Sequence, residues 1–193
     1  MASVRRMSAK PGAVIFLTGP PAAGKTTTAL LWSVQRARPT WPVEWDATAS
    51  ALGAARDLGF KCLPDDVGER YGLAAAVMAK QAEEITSGGN DCVVVGAWAL
   101  DWPGPDPWQP LGRLNPVVCV LLPNVETSVR RNANDPHRQG VFAVPEVHVR
   151  GSHSLSWRLW ADQPRAVVID NSKMTVQETV DVLEREAKRL VAQ

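Results

Sequence analysis

Short, unbroken apolar runs alternate along this chain with longer stretches of helical spacing. The apolar runs lie at 13–18 (AVIFLT), 42–46 (PVEWD), 91–98 (DCVVVGAW), 116–123 (PVVCVLLP) and 166–170 (AVVID). Short continuous runs rich in valine and isoleucine predict strands buried on both faces. Between them, 25–37, 47–59, 65–89, 124–134, 145–161 and 175–193 read as helices. Pro39 stops the first, and Gly59 ends the second. An acidic cap opens 65–89 and Gly88-Gly89 closes it. Asn124 caps the fourth, and Gly151 is a weak point in the fifth. Strands alternating with helices predict an α/β fold around a parallel sheet. No internal repeat is visible. The stretch WPGPDPWQP (102–110) holds four prolines, so it cannot be a central strand and is expected as a surface loop.

Length and composition narrow the class. With 193 residues the chain suits one domain, read as a flexible tail over 1–12 and a folded unit over 13–193. Apolar residues make up 45% and charged residues 21%, a globular balance. A net charge of +1 gives no whole-chain reason to bind nucleic acid or a membrane. No apolar run approaches a bilayer span, and the basic start MASVRRMSAKPG leads into no signal-like apolar stretch. Cys62, Cys92 and Cys119 form no CxxC pair and are expected as free thiols in a reducing cytoplasm. His137, His148 and His153 lack zinc-ligand spacing.

Directly after the first strand comes Gly19-Pro20-Pro21-Ala22-Ala23-Gly24-Lys25-Thr26, then Thr27. This is G-x-x-x-x-G-K-[ST] between a strand and a helix, the context that the motif requires. Glycines let the backbone approach a phosphate, and the amides form an anion nest. The helix that follows adds its positive end. Lys25 is placed for the β- and γ-phosphates, and Thr26 offers a hydroxyl to Mg²⁺. The expected ligand is a nucleoside triphosphate, ATP, since no N-K-x-D-like run is present to read guanine.

From residue 13 onward the order of these features resembles the small P-loop kinases. That group includes shikimate, gluconate and nucleoside monophosphate kinases, chloramphenicol phosphotransferase and the tunicamycin-resistance proteins. The resemblance implies a three-layer P-loop NTPase sandwich, with a five-stranded parallel sheet in the order 2-3-1-4-5 and a small lid. It makes Asp46, expected to close the second strand, the base that contacts the acceptor hydroxyl. Glu44 lies two residues back on the same face of that strand. Asp46 could equally cap a helix starting at Ala47. The lid is expected at about 132–145, within the arginine-bearing run RRNANDPHRQG (130–140). There the resemblance makes Arg130 and Arg131 nucleotide-binding, with Arg131 against adenine, and Arg138 a catalytic phosphate clamp. Arg150 could join from the next helix. The alternative for these arginines is a solvated basic face. The polar loop Asp170-Asn171-Ser172 would place Asn171 beside the nucleotide. One departure stands out: many relatives end the third strand in an acid that helps hold Mg²⁺, whereas this chain has Gly96 there, with Asp101 the nearest substitute.

Trp41 and Trp45 flank the second strand; Trp98, Trp102 and Trp108 follow the third. An acceptor would sit at that carboxyl edge of the sheet. Trp102 and Trp108 read equally as a pocket wall or as packing; a wall would suit a ring-bearing acceptor, and arginines to bind a small acid are few there (Arg56, Arg70). Trp157 and Trp160 share a helical face and read as core packing. The leading expectation is an ATP- and Mg²⁺-dependent kinase for a hydroxyl of a small ring-bearing molecule, such as an antibiotic or another natural product. The alternatives are a nucleoside or nucleotide kinase, including one acting within DNA, and a non-catalytic nucleotide-gated module.

Overall fold

A computed structural model of the chain describes residues 11–57, 64, 66–96, 109–136, 144–161, 163 and 166–191. Its elements in order are β1 (Val14–Thr18), α1 (Lys25–Gln35), β2 (Thr40–Glu44), α2 (Trp45–Asp57), α3 (Val67–Ser87), β3 (Asp91–Val95), α4 (Gln109–Gly112), β4 (Val117–Leu121), α5 (Val125–Asn134), α6 (Glu146–Trp160), β5 (Ala166–Ile169) and α7 (Val176–Val191). The strands form one parallel sheet in the order β2-β3-β1-β4-β5, as expected.

Every residue of β1, β3 and β4 is buried, because side chains alternate between two covered faces. Ile15, Leu17, Val93, Val95, Cys119 and Leu121 share one core with Trp32 of α1 and Leu183 of α7. Phe16, Val94, Val118 and Val120 share the other with Met78 of α3 and Leu111 of α4. The result is three layers. Each large apolar side chain withdrawn in this way contributes about 1.5–3 kcal/mol. Trp32 is 1% exposed, and its indole N–H donates to Glu184 at 2.6 Å, which satisfies the one polar atom such a burial would strand.

At the amino end of the sheet, Asp91 is buried and fully engaged. It accepts from the Ala13 amide at 2.8 Å and pairs with Arg36 at 2.7 Å and Arg38 at 3.4 Å. A lone carboxylate there would be costly, and this one ties together the starts of β1 and β3 with the end of α1. The caps follow the sequence: Asp66 accepts from the Glu69 amide, and Asn124 from the Thr127 amide. Helix α6 runs through Gly151 without a break.

Three expectations shift. The second strand is Thr40–Glu44, not 42–46, so Glu44 closes it and Asp46 falls in the first turn of α2. Since α2 starts at Trp45, Asp46 does not cap a helix beginning at Ala47 either. The cause is pairing: among the described residues β2 is an edge strand that pairs with β3, and the two match one to one from Thr40↔Asp91 to Glu44↔Val95. Pro42 lies within β2, tolerable on an edge strand where its missing N–H need not break a ladder. Next, Gln109 and Pro110, expected in a loop, open the short helix α4, while 102–108 lies outside the described residues. Finally, Trp160 packs against the sheet, but Trp157 is exposed rather than in the core. Cys92 and Cys119 are buried free thiols, and burial pushes both up to about 12. Cys62 and His137 lie outside the described residues. No helix among the described residues is long and apolar enough to cross a membrane.

Candidate active site

The turn from β1 into α1 is shaped by backbone that few residues tolerate. Gly19 takes φ +142°, and a Cβ there would lie 2.1 Å from the Leu121 carbonyl oxygen of β4. Only glycine fits on both counts. Gly24, at φ +89°, occupies the position before α1. Ala22 also has positive φ, at +60°. The loop curls over the start of α1, whose unsatisfied amides favour an anion. Lys25 folds back, and its Nζ donates to the Gly19 and Pro20 carbonyls, each at 3.0 Å.

This loop floors a cleft of about 760 Å³. Pro21, Ala22 and Gly24 of the loop and Lys25, Thr26 and Thr27 of α1 line it. The cleft extends in two directions fixed by strand order. Toward β2 and β3 it meets Glu44, Trp45, Asp46, Val95 and Gly96. Toward β4 and β5 it meets Arg130, Arg131 and the end of α5. Parallel sheets gather functional groups at the carboxyl ends of strands in this way.

On the β2 side Glu44 is the most perturbed group. Burial raises its carboxyl above the ordinary range; a hydrogen bond with Thr26 and the charge of Lys25 pull the other way, while Asp46 adds to the rise. Glu44 Oε1 is buried without a hydrogen-bond partner. Asp46 is exposed on the adjoining turn. Trp45, between them, stands edge-on to Tyr71 of α3, with ring centroids 5.3 Å apart.

On the opposite side the Arg131 guanidinium donates to the Asn171 carbonyl at 2.9 Å. Burial, and then Arg130 beside it, lower Arg131 from its ordinary value. Asn171 is buried, and its Nδ2 donates to the Ala23 carbonyl at 3.0 Å. Asn171 stands behind the loop, and like Gly19, Pro20 and Ala23 of the loop itself it is buried and does not line the cleft.

Arg138 and most of the expected lid, 137–143, lie outside the described residues, as do Asp101, Trp98, Trp102 and Trp108. Arg150 does not line the cleft: it pairs with Glu126 at 2.7 Å and Glu146 at 2.8 Å, fastening α6 to α5. Trp41 is exposed and lies on a separate groove against α3. Glu44 is the residue that the shifted strand boundary hid; its signal was the alternate acid in VEWD.

A hard divalent cation takes oxygen ligands, often one or two carboxylates with the rest from phosphate and water. The Thr26 hydroxyl beside the unpartnered Glu44 Oε1 fits that requirement. Among the described residues no three His, Cys, Asp or Glu side chains cluster as an all-protein metal cage.

No protein-family model matches the chain, and no curated protein matches it in sequence. Solved structures do match its shape. A thymidylate kinase from Candida albicans superposes with a TM-score of 0.66 at 12% identity, covering 91% of this chain and 90% of that one. A sugar kinase from Janibacter sp. HTCC2649 gives 0.61 at 15%, covering 91% and 94%. The tunicamycin resistance protein of Deinococcus radiodurans gives 0.61 at 16%, covering 91% and 95%. The chain has the fold of the small P-loop kinases.

Proposed function

We propose that this chain is a kinase that moves the γ-phosphate of ATP to a hydroxyl of a small ring-bearing molecule. One observation carries the reading: a single cleft brings the phosphate loop, with Lys25 and Thr26, between two carboxylates on one side and two arginines on the other. The fold shared with a sugar kinase and a thymidylate kinase supports phosphoryl transfer.

The loop amides and Lys25 would hold the triphosphate, which requires Lys25 Nζ to leave the Gly19 and Pro20 carbonyls. Arg131 would sit toward the base, with Asn171 bracing the loop beneath it. Thr26, with Glu44, would hold Mg²⁺, which when bound neutralises phosphate charge. Asp46 would accept the proton as the acceptor oxygen bonds to the γ-phosphorus and the bond to the bridging β–γ oxygen breaks. Arg130, and Arg138 as the expected clamp, would offset charge on the transferring group.

The test is a screen of hydroxyl acceptors with γ-labelled ATP, run with wild type and Lys25→Ala. Label should appear in an acceptor only with the wild type. ATP binding with no transfer to any acceptor or to water would favour a nucleotide-gated module instead.

A further inference from the structure

We infer, building on the kinase reading above, that the acceptor end of the cleft selects a ring-bearing alcohol without a carboxylate or phosphate, stacked on Trp45. Trp45 lines the cleft between Glu44 and Asp46. Its ring is not loose: Tyr71 meets it edge-on, and it packs against the core under β2. A fixed aromatic face rewards a flat or ring-shaped partner without ordering cost.

The charged neighbours of Trp45 in the sequence are both acids. Glu44 and Asp46 line the cleft with it, and the Glu44 Oε1 is buried and unpartnered. Among the described residues lining the cleft, the cations are Lys25, in the phosphate loop, and Arg130 and Arg131, on the α5 side. The sequence sharpens this asymmetry. From 40 to 55 it has two acids and no lysine, arginine or histidine. An anionic acceptor would bring further negative charge to two carboxylates, while Lys25 and the Mg²⁺ that Thr26 and Glu44 would hold are engaged by the triphosphate. A neutral alcohol can donate its hydroxyls to those carboxylates, and a protonated amine is attracted to both the carboxylates and the ring. This end of the cleft is therefore unlike one built for an acid or a nucleoside monophosphate.

The test compares matched acceptors with γ-labelled ATP: a hexose against its hexuronic acid, a nucleoside against its 5′-monophosphate, and an aminocyclitol against shikimate. The uncharged or amine-bearing member of each active pair should have a kcat/KM at least about 100-fold higher, the scale of discrimination that an unpaired buried charge can impose. Trp45→Ala should raise the acceptor KM about tenfold, as loss of a stacking partner does, with the ATP KM unchanged. Trp45→Phe should restore most of it. Equal or better transfer to the anionic members overturns the selectivity and leaves the kinase reading standing. An equal rise in both KM values for Trp45→Ala, unrelieved by Phe, overturns the stacking wall. No transfer to any acceptor, together with no ATP binding by calorimetry, overturns the kinase reading and this inference with it.

Discussion

The Arg131 guanidinium donates to the Asn171 carbonyl, and the Asn171 side chain donates in turn to Ala23 in the phosphate loop. Three segments far apart in sequence are thus coupled: the end of α5, the turn after β5 and the loop after β1. Asn171 is buried, so its replacement is felt in both stability and binding. Asn171→Asp removes the donor and sets a carboxylate against the Ala23 oxygen. It should cost about 2–3 kcal/mol in urea denaturation, since a buried unpaired charge exceeds a lost neutral bond. It should also weaken ATP binding, because the loop loses its brace. Asn171→Ala should cost less, about 1 kcal/mol. Equal stability of the Asp variant and wild type would remove the brace from the account.

Lys25 is engaged by two loop carbonyls, Gly19 and Pro20. Lys25→Ala removes both a loop contact and the charge aimed at phosphate. Turnover should fall by roughly 2–4 kcal/mol of transition-state stabilisation. The loss should exceed any change in stability, because the charge acts on phosphate while the two carbonyl contacts are ordinary hydrogen bonds worth about 0.5–1.5 kcal/mol each. Unchanged turnover would refute the phosphate-loop assignment.

Ala22 occupies the left-handed region at φ +60° within the same loop. An L-residue pays about 1–2 kcal/mol there, and part of that returns when glycine loosens the unfolded chain. Ala22→Gly should therefore stabilise the protein by about 0.5–1 kcal/mol. Ala22→Val should do the reverse, since branching at Cβ worsens the clash. Thermal denaturation of the pair checks the sign.

The sheet and its order were legible because β1, β3 and β4 are buried on both faces, and such strands announce themselves as unbroken apolar runs. The phosphate loop was legible because its chemistry is local: eight consecutive residues carry it. What the sequence could not display was pairing across the sheet. Among the described residues β2 pairs with β3, and the paired stretch spans β3 from Asp91 to Val95. VEWD alternates acid with apolar and reads as strand through Asp46, but the pairing with β3 runs to Glu44↔Val95. So the chain turns into α2 at Trp45, Glu44 becomes the acid at the strand end, and Asp46 moves into the first helical turn. The Arg150 pairing was hidden for a similar reason: Glu126 lies on another helix, 24 residues away.

That shift separates two carboxylates which the sequence alone could not assign. Glu44 is partly buried, hydrogen-bonded with Thr26 and raised by burial. Asp46 is exposed on the cleft wall. For Glu44 the sign follows from linkage: an acid whose folded pKa lies above its unfolded value stabilises the fold at low pH and loses that contribution as pH rises through the folded value. Glu44→Gln should therefore raise the melting temperature of the ligand-free protein at neutral pH. The gain should vanish below about pH 4, where the wild-type carboxyl is already protonated in both states. The same variant should need more Mg²⁺ for half-maximal turnover, since the amide lacks the charge a hard cation favours. Asp46→Asn behaves differently on each measure. The side chain is exposed, so folding should change little, by no more than the loss of a charge near a helix start, about 0.3–1 kcal/mol. ATP affinity should hold. Transfer should fall by about 10²–10⁴, because a carboxamide keeps the shape but cannot take the proton. Melting curves at two pH values, a Mg²⁺ titration and turnover, measured on both variants, divide the roles. If Asp46→Asn keeps full activity while Glu44→Gln loses it at saturating Mg²⁺, the base is Glu44, and the strand-end acid rather than the helical one takes the acceptor proton.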